Sequence, residues 1–161
     1  MPERAGRPLR IGVCGAGQSS DPALLLAAEE IGRRLAEAGA VLICGGLGGV
    51  MEASARGAAQ AGGLTVGLLP GPDADAANPS IRVPLATGLG EGRNVLIVRG
   101  SDAVIAVGGE WGTLSEVALA RKIGVPVILF RPGLTASLGV PEAGSEEEAV
   151  TEALAMARRR T

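Results

Sequence analysis

Residues 102–124 read DAVIAVGGEWGTLSEVALARKIG, and the fold turns on how they are parsed. The apolar run 102–107 is too short for a helix and stops at two glycines, so it reads as a buried strand. From 113 to 124 apolar residues recur at helical spacing until Gly124. VPVILF (125–130) then supplies a second apolar strand. Strand, glycine turn, helix and strand in that order make a βαβ unit, which requires a parallel sheet.

The same grammar extends in both directions. LRIGVC (9–14) predicts a strand, and 23–39 a helix with Asp21 as N-cap, Pro22 in its first turn and Gly39 at its end. AVLIC (40–44) predicts a strand, 48–63 a helix, and LTVGLLP (64–70) a strand stopped by Pro70. Residues 71–80 read as a loop and 81–86 as a short edge strand, since Pro84 removes a ladder donor. RNVLIVRG (93–100) predicts a short apolar helix. A last helix, 146–159, opens on a Ser145–Glu148 capping box and closes on Arg158, Arg159 and Arg160. The fold class is α/β: a Rossmann-like three-layer sandwich, one domain over 1–161, with a mostly parallel sheet covered on both faces. No repeat or linker divides the chain.

Composition narrows the function. Charged residues make up 20% of the chain and the formal net charge is −2, which gives no long-range attraction for nucleic acid or an anionic membrane. The start, MPERAGRPLR, has no apolar stretch behind its basic residues and does not read as a secretory signal. No run is long enough to span a bilayer. Cys14 and Cys44 do not form a disulfide framework, so a cytoplasmic protein with reduced thiols is expected. They end two strands expected to be neighbours. Two thiols without any histidine make a poor metal site, and no metal site is expected.

In parallel sheets, ligands sit beyond the carboxyl ends of the strands. Three glycine turns lie there: CGAGQSS (14–20), CGGLGGVME (44–52) and VGGEWGTLSE (107–116). Glycine lets a ligand approach the main chain, and a helix N-terminus favours an anion. The turns therefore predict a phosphate-bearing ligand held by Gly15, Gly17, Gln18, Ser19, Gly45, Gly46, Gly48, Gly108, Gly109 and Gly112. The first turn lacks the G-x-G-x-x-G pattern, no acid ends the second strand, and no G-K-[ST] occurs, which argues against NAD and ATP. Thr113 as N-cap and Glu116 three residues later make a second capping box; Glu116 can also face the ligand. Trp111, the only tryptophan, can stack on a heterocycle, cover the pocket mouth or touch a second subunit. Glu52 and Arg56 read as a surface pair, and Met51 as core.

GGLGGVMEASARGA (45–58), TGLGEGRN (87–94) and GGEWGTLSEVALA (108–120) together resemble the family long labelled "lysine decarboxylase-like". That family includes the Lonely Guy phosphoribohydrolases, and the similarity is greater to its short bacterial branch with the molybdenum cofactor carrier proteins. The resemblance implies a Rossmann-like fold and a homodimer or larger homo-oligomer. It implies two functions. One is a carrier for a phosphate-bearing heterocycle, the molybdenum cofactor or a nucleotide monophosphate. The other is hydrolysis of the N-glycosidic bond of nucleoside 5′-monophosphates, with Arg93 and Glu116 catalytic. The decarboxylase label implies pyridoxal phosphate, but the only lysine, Lys122, lies on a predicted helix away from an obvious Schiff-base pocket. The hydrolases carry P-G-G-x-G-T-x-x-E; here Val107 replaces the proline, while Gly108, Gly109, Gly112, Thr113 and Glu116 match. They carry M-x-x-R-K; here Arg93 matches, with Gly90 and Asn94 in place of the methionine and lysine. These departures favour the carrier, with Arg93 and Asn94 among its ligand-binding residues.

Overall fold

A computed structural model describes residues 6–161. The first part of the stretch read above as lacking a secretory signal, residues 1–5, lies outside the described residues. Among the described residues, seven parallel strands form one sheet: β1 (Arg10–Gly15), β2 (Val41–Cys44), β3 (Thr65–Leu69), β4 (Val83–Ala86), β5 (Ala103–Val107), β6 (Val127–Phe130) and β7 (Glu142–Ala143). Their order is β4-β3-β2-β1-β5-β6-β7. The direction of winding reverses between β1 and β5, whose register pairs Cys14 with Ala106 and Gly15 with Val107. The turns after β1, β2 and β5 thus lie side by side on one sheet edge, where ligands of such sheets bind.

Five helices cover the sheet: α1 (Pro22–Glu37), α2 (Val50–Gln60), α3 (Arg93–Gly100), α4 (Trp111–Ile123) and α5 (Glu146–Arg160). One core lies under α1, α2 and α5 and takes Ile11, Val13, Leu42, Cys44, Ile105 and Val107 from the central strands. The other lies under α3 and α4 and takes Cys14, Val104, Ala106, Val127 and Leu129. Alternate residues of β1 and β5 therefore serve opposite faces, as strand geometry requires. No helix among the described residues is long and apolar enough to cross a membrane.

The helix ends follow their caps. The Asp21 side chain accepts from the Ala23 amide at 3.0 Å, with Pro22 at the first helical position. The Ser145 hydroxyl accepts from the Glu148 amide at 3.1 Å, and Glu148 reaches back to the amide of Gly144 at 2.7 Å. Gly124 closes α4 in the left-handed region, φ +85°. Helices α1 and α2 cross so closely that a Cβ at Gly32 would lie 1.9 Å from the Ser54 carbonyl oxygen. A Cβ at Gly57 would lie 1.9 Å from that of Glu29.

Several expectations are corrected. α4 starts at Trp111, so its N-cap is Glu110 and Thr113 is the third helical residue. The Thr113–Glu116 capping box does not form, because Gly108 turns the chain at φ +72° and Gly109 is clasped by the loop after β6. Arg56 pairs with Glu29 on α1 at 3.0 Å, not with Glu52. β1 and β2 are neighbours, yet Cys14 and Cys44 face opposite sides of the sheet. The segment after Phe130 holds two elements absent from the sequence reading, a 3-10 turn (Leu134–Leu138) and the two-residue β7.

Candidate functional site

A cavity of about 920 Å³ opens at the carboxyl edge of the sheet. Its floor is the end of β1 and the turn after it, with Cys14, Gly15, Ala16 and Gly17. Gly45, Leu47, Met51 and Pro70 line it from the side of β2 and β3. Arg93 and Asn94 enter from the start of α3, and Trp111, Gly112, Thr113 and Glu116 from the start of α4. Gly15, Gly17, Gly45, Arg93, Asn94, Trp111, Gly112, Thr113 and Glu116, all candidates from the sequence, therefore share one cavity.

Gly45 explains the placement of Arg93. A Cβ on Gly45 would fall 2.6 Å from a terminal nitrogen of Arg93 and 2.6 Å from the Met51 sulfur. The missing side chain makes room for the guanidinium, which lies over the second turn of its own chain. Its Nη1 donates to the Asn94 side-chain oxygen, while its Nε is buried and has no partner within the chain. Asn94, 9% exposed, holds the guanidinium where the related hydrolases have a lysine.

Glu116 is buried beside it. Burial pushes its carboxyl up to about 7 from an ordinary 4.5, although the Arg93 charge and a hydrogen bond from the Cys14 thiol pull the other way. Burial also pushes both thiols up: Cys14 well above the usual range, Cys44 to about 11. Both therefore stay protonated at neutral pH and are poor nucleophiles. The Thr113 hydroxyl, on a residue 2% exposed, has no hydrogen-bond partner within the chain. Trp111 is 76% exposed at the rim.

The other candidates do not reach the cavity, because the fold uses them. Gly108 donates its amide to the Phe130 carbonyl at 2.9 Å, and the Gly109 carbonyl accepts from the Leu134 amide at 3.0 Å. Gly46 donates to the Cys44 sulfur and accepts from the Asn78 amide at 2.9 Å. Gly48 packs near the Gly17 carbonyl. Gln18 is exposed, and the Ser19 hydroxyl accepts from the amide of Asp21 at 3.4 Å. The three turns are thus unequal. Asp21 caps α1, and the Val50 amide at the start of α2 goes to the Ala16 carbonyl at 3.1 Å. At α4 no side chain caps the N-terminus, and its first residues line the cavity. That end, with Arg93, is where an anion is best held.

Sequence reasoning missed Leu47, Pro70, Glu91, Glu110, Ser115, Ala118, Leu119 and Lys122, all of which line the cavity. Met51 lines it too while also packing in the core. A signal for the α4 group was present: Ser115, Ala118, Leu119 and Lys122 repeat at helical spacing on the face away from Val117 and Ala120.

The profile of the SLOG cluster4 family matches residues 8–159. An uncharacterized protein of Archaeoglobus fulgidus is 48% identical over 124 residues, 77% of this chain and 81% of that protein. Among solved structures, the molybdenum cofactor binding protein from Rippkaea orientalis is similar at 39% identity with a TM-score of 0.86, covering 93% of this chain and 98% of that one. The Moco carrier protein from Chlamydomonas reinhardtii is similar at 35% identity with a TM-score of 0.85, covering 95% and 99%.

Proposed function

The chain belongs to the SLOG cluster4 family, and from that premise we propose that it binds and carries a phosphate-bearing pterin, the molybdenum cofactor. Two lines support this reading. Solved proteins that bind or carry this cofactor match nearly the whole chain at more than a third identity. The observation on which the reading turns is local: the Arg93 guanidinium beside the uncapped start of α4, with the Thr113 hydroxyl free of any partner within the chain.

In this reading the cofactor is cargo. Its phosphate is held by Arg93 and the amides of Gly112 and Thr113, where the helix dipole and a bidentate cation act together. Trp111 lies against the flat heterocycle at the rim. Glu116, largely protonated below pH 7, adds no full negative charge next to the anion and can donate a hydrogen bond to it.

One observation favours a second reading. A buried carboxyl near 7, beside an arginine, is suited to general acid–base work on a ribosyl bond. The alternative is therefore a nucleoside 5′-monophosphate phosphoribohydrolase, with Arg93 orienting the phosphate and Glu116 stabilising the ribosyl cation or moving a proton.

One experiment separates them. The purified protein is incubated with AMP and with isopentenyladenosine monophosphate, and free base is measured; in parallel, binding of the released molybdenum cofactor is titrated. The carrier reading expects no turnover and saturable cofactor binding, with Arg93→Ala weakening it by about 30-fold or more. Turnover that disappears in Glu116→Gln would overturn it in favour of the hydrolase.

A further inference from the structure

The cavity is longer than one phosphorylated heterocycle requires. Pockets for drug-sized ligands range over roughly 300–1,000 Å³, and this one holds about 920 Å³. Its deep end is the chamber around Arg93, Thr113 and Glu116. Its shallow end is a shelf on α4, where Ser115, Ala118, Leu119 and Lys122 form a single stripe. With Trp111 at its start, the stripe runs about 16 Å along the helix at 1.5 Å per residue.

Charge divides the cavity in the same way. Arg93 and Lys122 are its only cationic lining residues; the acidic ones are Glu116 in the chamber and Glu91 and Glu110, both exposed. Lys122 is the only lysine of the chain and enters no ion pair among the described residues. Helical side chains lean toward the N-terminus, so Lys122 is directed back along the shelf toward the chamber. Ala118 and Leu119 leave a small apolar floor in front of it.

We propose that the site takes an extended ligand, a pterin phosphate joined through a pyrophosphate to a second nucleoside. Arg93 holds the inner phosphate, Lys122 faces the outer one, and the second base lies on Ala118 and Leu119. This rests on the carrier reading above and goes beyond it, since a carrier for the monophosphate form needs only the chamber.

Two probes test it on the full chain: the molybdenum cofactor in its pterin monophosphate form, and its guanine dinucleotide form, each released from a purified molybdoenzyme and titrated under exclusion of oxygen. The dinucleotide is expected to bind about tenfold more tightly. Lys122→Ala should remove that advantage and leave the monophosphate affinity unchanged; Ala118→Trp, which fills the shelf from an exposed position, should do the same. Equal affinities in the wild type, or a Lys122→Ala effect equal on both probes, would overturn the extended ligand while leaving the carrier reading intact. Binding of neither probe would remove both. A dimer whose formation depends on Lys122, with no difference between the probes, would assign the shelf to a second copy and overturn the proposal.

Discussion

Two buried carboxylates bracket strand β5 and meet opposite conditions. Asp102 stands just before the strand, 2% exposed, and Glu116 lies beyond its carboxyl end, 7% exposed. Burial alone would raise both. Around Asp102, Arg7 donates to both carboxylate oxygens at 2.7 and 2.8 Å, and Arg10 adds its backbone amide at 2.9 Å and a guanidinium nitrogen at 3.3 Å. These donors outweigh desolvation and hold Asp102 well below the usual carboxylate range. Around Glu116 the opposing groups are fewer, the Arg93 charge and the Cys14 thiol, and desolvation wins. The amino edge of the sheet thus uses its acid to pin the chain that leads into β1. The carboxyl edge keeps its acid, its arginine and a threonine hydroxyl only partly satisfied, which is the condition of a site prepared for something else.

The largest expected effect comes from breaking the satisfied side. Asp102→Ala leaves Arg7 and the Arg10 amide without their acceptor, and should cost about 3–4 kcal/mol in urea unfolding at pH 7. The contribution is full above the ordinary Asp value and is lost as pH falls toward the depressed folded value. Ligand binding at the far edge should be unchanged. A loss below about 1 kcal/mol would place this cluster with ordinary exposed ion pairs.

Glu116 should show the reverse pH dependence. Its folded value, about 7, lies above its ordinary 4.5, so between those values the folded chain binds more protons than the unfolded one. Stability should therefore fall as pH rises through that window, by at most about 3 kcal/mol at 1.36 kcal/mol per unit. Glu116→Gln should flatten that slope and match or exceed the wild type above pH 7. Urea midpoints at pH 5 and pH 8 measure it, and an unchanged slope in the variant would show that Glu116 is ionised throughout.

The same contrast explains what the sequence could disclose. The order of strands and helices was legible because each strand is a short apolar run ended by glycine or proline, as at Val107–Gly108 and Leu69–Pro70. Arg93, Glu116, Gly15 and Gly45 were legible because local motifs set their spacing. The start of α4 was misread because T-x-x-E is a plausible local cap, while the competing constraint is distant: the Leu134 amide on the Gly109 carbonyl and the Phe130 carbonyl on the Gly108 amide. Gly32 and Gly57 gave no sign of their role, since a helix crossing depends on two segments at once. Asp102 went unread for the same reason: its partners Arg7 and Arg10 are some ninety residues away in the chain. Lys122 was set aside as a helix residue away from a pocket, because nothing local shows that the cavity runs three turns along α4.

The smallest effect is the sharpest test of the unsatisfied side. Thr113 buries a hydroxyl that has no partner within the chain. Val has nearly the same shape, so Thr113→Val removes the polar atom and little else. If the hydroxyl exists for a ligand, its burial without a partner costs stability in the free protein, and the variant should gain about 1 kcal/mol in urea unfolding. The same change should weaken binding of the phosphorylated ligand by roughly tenfold, since the ligand loses one hydrogen bond. A structural hydroxyl would move both measurements the other way or not at all: stability would fall and affinity would hold. Opposite signs in the two titrations are therefore what separates a group kept for binding from one kept for folding.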